Sequence, residues 1–259
     1  MILDDILAAK RSRLNELKND IPYNFLEIVA ANRISKPLDL YSALKQNGLS
    51  VIAEVKKASP SKGVIAENFE PVKRALEYEA NGAAAISVLT EEDYFKGSMD
   101  YLAEIKKQVK IPVLCKDFII EEYQILHAFS AGADAILLIA SILSDEELQS
   151  LFKFASSLGL SCLMEAHNAR EVSRCVKAGG NIIGINNRDL TTFNIDLNNF
   201  ANFRQLIPDN CAAVCESGIM NEEDALFAKK NGADAILVGE SLMREENSGS
   251  LLRRLLEND

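Results

Sequence analysis

The chain has 259 residues, 48% of them apolar, with 13 Gly and 6 Pro, enough to bury a substantial core as one large α/β domain or two small ones. A formal net charge of −10 opposes general attraction to nucleic acid or anionic membrane, and no basic cluster interleaved with aromatics stands out. No apolar run approaches the roughly 18 residues that span a bilayer, and Asp4 and Asp5 replace a basic-then-apolar leader, so a soluble cytoplasmic protein is expected.

The first segment, ILDDILAAKRSRLNELKND, places acidic residues early, basic ones later and apolar residues at Ile2, Ile6, Leu7, Leu14 and Leu17, which predicts an amphipathic helix. A second helix is expected over NFLEIVAANR. These 48 residues fall outside the pattern that follows, and two readings stand for them: a plug in one end of the fold, or a lid over a binding mouth.

At 52 to 63 the chain reads IAEVKKASPSKG, an apolar strand-like run that then carries Glu54 and Lys56. A strand has a side-chain period of two, so these charges share one face while Ala53 and Val55 share the other. If that face points into a core, both need partners, ligands or water.

Downstream a phrase recurs at intervals of about fifty residues: NGAAAIS from 81, AGADAIL from 131, AGGNIIG from 178 and NGADAIL from 231. Each follows an amphipathic helical stretch and leads into a buried-strand run, so its Gly is expected to end the helix. Halfway between lie further strand candidates, SVIAEVKK, IPVLCKDF, GLSCLMEAH and CAAVCESG. Eight strands alternating with helices predict a (βα)8 barrel over residues 49–259, carried in a single domain with the extension at 1–48. An open doubly wound sheet is the alternative. The five cysteines, odd in number and without a CxxC pair, fit reduced core thiols.

In such a barrel, chemistry collects at the C-terminal strand ends. Those ends carry Glu54 and Lys56, then Lys116, Glu165, Asn186 and Glu216. Two lysines among three carboxylates allow ammonium groups to act as acids and a carboxylate as base. The competing reading is a structural ion-pair network. Ser217, Gly218 and Gly239 fall in the turns after the last two strands, where barrels commonly hold phosphate; Glu240 beside them is expected to offer its backbone N–H and turn its carboxylate away. His127 lies in a helix-like stretch and is expected to pack; His167 could line the rim, but no second His or Cys completes a metal set, so no metal is predicted.

These residues resemble those of indole-3-glycerol-phosphate synthase, through IAEVKKASPSKG, LTEEDYFKGS, LCKDFII, GINNRDL, ESGI and LVGESLM in that order. The resemblance implies ring closure, decarboxylation and dehydration of 1-(2-carboxyphenylamino)-1-deoxyribulose 5-phosphate, without a cofactor. It places general acid character on Lys116, base or acid-base character on Glu165, substrate contact on Lys56 and orientation of the lysines on Glu54, with Asn186 and Glu216 completing the ring. It further implies Ser59, Pro60 and Arg188 around the substrate carboxylate, Phe95, Phe118, Leu137 and Leu190 around its aromatic ring, and Ser217, Gly218, Gly239 and Glu240 around phosphate. The expected partner is a phosphorylated small molecule, bound by a monomer. Two rival readings remain: another phosphate-sugar barrel such as phosphoribosylanthranilate isomerase, and a catalytically inactive ligand-binding barrel.

Overall fold

A computed structural model describes residues 2–60, 63–65, 68–189, 193–245 and 247–257. Among these, eight parallel strands form a closed barrel: β1 (Ser50–Val55), β2 (Ala85–Leu89), β3 (Val113–Lys116), β4 (Ala135–Ile139), β5 (Ser161–Ala166), β6 (Ile182–Asn186), β7 (Ala212–Glu216) and β8 (Ala235–Val238). Closure is made by β1, which aligns Ser50 with Ala235 of β8 and Ile52 with Ala85 of β2. A two-residue hairpin joins Ala58–Ser59 to Gly63–Val64 beyond β1.

Three helices precede the barrel: α1 (Ile2–Asp20), α2 (Tyr23–Ala31) and α3 (Leu40–Leu44). Those interleaved with and following the strands are α4 (Pro71–Ala80), α5 (Met99–Lys106), α6 (Glu122–Ser130), α7 (Asp145–Ser157), α8 (Ala169–Ala178), α9 (Asn198–Phe203), α10 (Glu222–Lys230), α11 (Glu240–Arg244) and α12 (Ser248–Leu256). Their ends follow local chemistry. Reciprocal side-chain caps start α7 (Ser144 with Glu147) and α10 (Asn221 with Asp224), satisfying backbone N–H groups that lack a helical partner. The recurring glycines Gly82, Gly132, Gly179 and Gly232 all take positive φ, between 85° and 102°, where each helix turns into a strand.

Strand periodicity divides the core in two. Val51, Ala53 and Val55 face outward into the layer between strands and helices, whereas Ile52 joins Leu114, Leu163 and Val214 inside the barrel. Each buried Val, Leu or Ile among these stabilises the fold by roughly 1.5–3 kcal/mol. All five cysteines are free and buried, and burial pushes the thiols of Cys115, Cys162, Cys175 and Cys215 up to about 12, so they pack as apolar groups. No described helix is long and apolar enough to cross a membrane.

The N-terminal segment reaches both ends of the barrel. Leu40 and Leu44 of α3 are fully buried against the interior core, while Leu38 N–H donates to Asp134 (2.9 Å) and Leu40 N–H to Ser161 (3.2 Å) at the entry to β4 and β5. That helix, not anticipated from the sequence, closes the N-terminal end. Helix α1 crosses the opposite end, where Ile2, Leu3 and Ile6 border a cleft. Lys10, only 5% exposed, pairs with Asp117 at 2.7 Å, and Arg13 Nε donates to Asp93 at 3.0 Å. The N-terminal segment therefore contacts the barrel at both ends, through α3 at the closed end and through α1 at the cleft.

Candidate active site

Because β1 alternates, Glu54 points inward with Ile52, and its Oε1 accepts from Lys56 Nζ at 2.6 Å. Lys116 ends β3, its Nζ lying 3.2 Å from Glu165 Oε2 and 3.7 Å from Glu216 Oε2. Asn186 Nδ2 donates to Glu165 Oε1 at 3.1 Å, and its Oδ1 accepts from Arg188 N–H at 3.0 Å. The six rim residues expected from the sequence thus border one cleft, as the Lys56–Glu54 pair and a second group of Lys116, Glu165, Glu216 and Asn186 in polar contact.

Burial and charge set these groups apart. Burial alone would lower the Lys116 ammonium, but Glu165, Glu216 and Glu54 outweigh it and hold the group above its ordinary value. Burial would raise Glu165, yet Lys116, His167 and the Asn186 amide hold it below the usual carboxylate range. Glu216 moves the other way, pushed up by burial and by the Glu165 charge against the pull of Lys116. Two neighbouring carboxyl groups with opposed shifts can divide acid and base duties at one pH.

The remaining predicted contacts border the same cleft: Ser59 and Pro60 from the hairpin, Phe95, Phe118, Leu137, Arg188, Ser217, Gly218, Gly239 and Glu240. Leu190 lies outside the described residues. The rings of Phe95 and Phe118 stand 6.2 Å apart, forming an apolar wall next to the charges. Phe95 is held by its loop: the fully buried Glu91 carboxylate accepts the N–H groups of Asp93, Tyr94 and Phe95 at 3.1, 2.8 and 3.0 Å. Glu240 is engaged by Arg244 (3.0 Å) and Arg188 (3.8 Å), which anchor its carboxylate.

The turn after β7 takes left-handed backbone at Ser217 (φ 64°) and Gly218 (φ 92°). Asn187, fully buried, fixes that turn by donating to the carbonyls of Glu216 (2.9 Å) and Ser217 (3.0 Å). Ser241 Oγ donates to Ile219 O at 3.0 Å, tying this turn to the start of α11. Gly239 abuts Glu54; a Cβ there would lie 3.1 Å from the Glu54 Cβ and closer still to its carboxylate.

Several contributors were not assigned from the sequence. Asn187 stands in GINNRDL between the expected site residues Asn186 and Arg188, and Asp117 stands in LCKDFII beside Lys116. Gly184, a glycine inside a strand run, was the available signal for a close approach, since a Cβ there would overlap the Glu216 carboxylate. The cleft-facing residues of α1 gave no such signal. His167 lies one residue beyond β5 against Glu165. His127 packs in α6 with its ring 6.3 Å from that of Tyr123, and burial holds it below its ordinary value.

A family model described as indole-3-glycerol phosphate synthase matches residues 3–255. The chain is 46% identical to the indole-3-glycerol phosphate synthase of Ruminiclostridium cellulolyticum over 256 residues, 98% of each chain. It is 48% identical to that of Acetivibrio thermocellus over 255 residues, again 98% of each. Among solved structures, a 3-hexulose-6-phosphate synthase superimposes with a TM-score of 0.64 at 14% identity, covering 80% of this chain and 98% of the other, a likeness of fold alone.

Proposed function

Since the chain belongs to the indole-3-glycerol phosphate synthase family, we propose that its rim converts 1-(2-carboxyphenylamino)-1-deoxyribulose 5-phosphate into indole-3-glycerol phosphate, releasing CO2 and water. The observation that carries this reading is the Lys116 ammonium, set between Glu165 and Glu216 beside an apolar wall, with the Lys56–Glu54 pair on the same cleft.

In ring closure an aromatic carbon attacks the ribulose ketone, and negative charge grows on the ketone oxygen. An ammonium donor stabilises that charge and protonates the oxygen as the carbon–carbon bond forms, the role given to Lys116. Loss of CO2 returns an electron pair to the ring. The new hydroxyl then departs as water, with Lys56 as the nearby acid, while Glu165 takes the proton whose removal completes the indole. Glu54 orients Lys56, and Asn186 orients Glu165. A low folded-state affinity of Glu165 for protons keeps it ionised and available as a base.

Phe95, Phe118 and Leu137 would flank the aromatic ring, with Ser59, Pro60 and Arg188 at its carboxylate. The phosphate would rest on the turns at Ser217, Gly218, Gly239 and Glu240, mostly through backbone N–H groups. One chain carries every group this scheme uses, so the reading takes a monomer as the working unit, with no cofactor.

The test is a fluorescence assay with the carboxyphenylamino-deoxyribulose phosphate. The chain contains no Trp, so rising indole emission reports product directly. Product release with stoichiometric CO2 is expected. Consumption without indole formation, or no turnover by folded protein, would defeat the proposal.

A further inference from the structure

His167 is absent from the scheme above, yet it is clamped between two carboxylates. Its Nδ1 lies 3.3 Å from Glu171 Oε2, which also accepts the His167 backbone N–H at 2.8 Å. Its Nε2 lies 3.4 Å from Glu165 Oε1 and is buried without a hydrogen-bond partner among the described residues. Glu171 is itself fixed at the first turn of α8, where its other oxygen accepts from Asn168 Nδ2 at 2.6 Å. An ionised carboxylate only accepts hydrogen bonds. A neutral imidazole carries one N–H, so satisfying Glu171 through Nδ1 would aim the bare Nε2 lone pair at Glu165. Only the imidazolium, with donors on both nitrogens, matches both neighbours.

We propose that His167 is a positioning residue for the reaction, held as imidazolium between Glu165 and Glu171 so that the Glu165 carboxylate stays ionised and aimed into the cleft. The inference rests on Glu165 serving as the base. The charged groups facing the ring are Glu165 from β5, Glu171 from α8 and, more distantly, Lys116 from β3. Burial and Lys116 oppose the imidazolium, while the two carboxylates favour it and raise its proton affinity above the ordinary value of 6.5. A raised value means that the imidazolium persists below it and is lost as pH rises through it. The wild-type kcat should therefore carry an alkaline limb above pH 6.5 that belongs to His167.

The ionisation can be read without activity. The chain has 2 histidines, so nitrogen–proton correlation spectra of the folded protein show two imidazoles, and His127→Gln assigns them. His167 should be protonated on both nitrogens at pH 6.5, and Glu171→Gln should shift its loss of charge to lower pH. Kinetically, His167→Ala should lower kcat about tenfold, equivalent to ~1.4 kcal/mol, with KM within twofold. His167→Gln, which keeps a donor toward Glu165, should restore part of that rate and lack the alkaline limb. A singly protonated His167 at pH 6.5, or a kcat profile for His167→Gln that overlays the wild type, would overturn the inference. Failure of the underlying assignment looks different: Glu165→Gln would dehydrate at the wild-type rate although His167 of the wild-type protein was doubly protonated.

Discussion

Gly184 on β6 leaves the space that the Glu216 side chain from β7 occupies: a Cβ on residue 184 would overlap Oε1 and lie 2.9 Å from the carboxyl carbon. The neighbouring strands align Gly184 with Val214 and Asn186 with Glu216, so the glycine sits one inward position below the polar layer. A backbone with no side chain is what lets a buried carboxyl turn into the barrel there. Gly184→Ala should force that carboxyl aside, with an overpacking cost of about 1–3 kcal/mol. Displacing a group beside Lys116 by even an ångström should also lower kcat by roughly 10²-fold. Melting temperature and single-turnover rates measured on the same preparation check both; a variant with wild-type kcat would show that Glu216 placement is immaterial.

Lys116 is the group on which ring closure depends in the proposed scheme. Lys116→Ala should lower kcat by a factor of about 10² to 10⁴ while circular dichroism stays native, since a lost general acid has that scale. Its removal also leaves Glu165 and Glu216 without their shared cation, so the variant should titrate differently. An unchanged kcat would remove Lys116 from the chemistry.

The opposed shifts of the two carboxyl groups predict how stability follows pH. Glu216 binds its proton more tightly when folded than at the ordinary value of 4.5, so its contribution is fully present below that pH and declines as pH rises through the folded value. Glu165 has the reverse sign: its folded affinity is depressed, so it stabilises above pH 4.5 and that contribution is lost as pH falls. Glu216→Gln removes the first dependence. Its melting temperature should climb relative to wild type between pH 4.5 and neutrality, by roughly 2–4 °C per kcal/mol, in a calorimetric series. Parallel curves would mean that Glu216 titrates alike in both states.

The barrel was legible because two periodicities coincide in the chain, alternation within strands and a glycine-led phrase every fifty residues. The inward placement of Glu54 follows from Ile52 by parity alone, and the strand-end position of Lys116 from the apolar run before it. What stayed hidden depends on distant pairings. Nothing near Lys10 announces that it meets Asp117, 107 positions away, and the short helix at Leu40 has too few turns to show a period. Asn187 was equally obscure, since its value lies in capping the carbonyls of another strand's turn.

The two ends of the N-terminal segment should respond differently to mutation. Lys10→Met leaves Asp117 buried without its cation, and Asp117 adjoins both Lys116 and Phe118, whose N–H it accepts at 2.7 Å. The first effect should therefore fall on the docking of α1 over the cleft, raising KM roughly tenfold, equivalent to ~1.4 kcal/mol, with a smaller change in kcat. Leu40→Ala acts at the closed end, away from the cleft, and should cost about 2–5 kcal/mol of stability with KM unaltered in the surviving folded protein. Removing residues 1–21 should resemble Lys10→Met in KM while keeping a barrel that melts cooperatively, because α3 remains to close the far end. If that truncation aggregates, or if Lys10→Met changes stability but not KM, α1 is a structural brace and its position over the mouth is incidental.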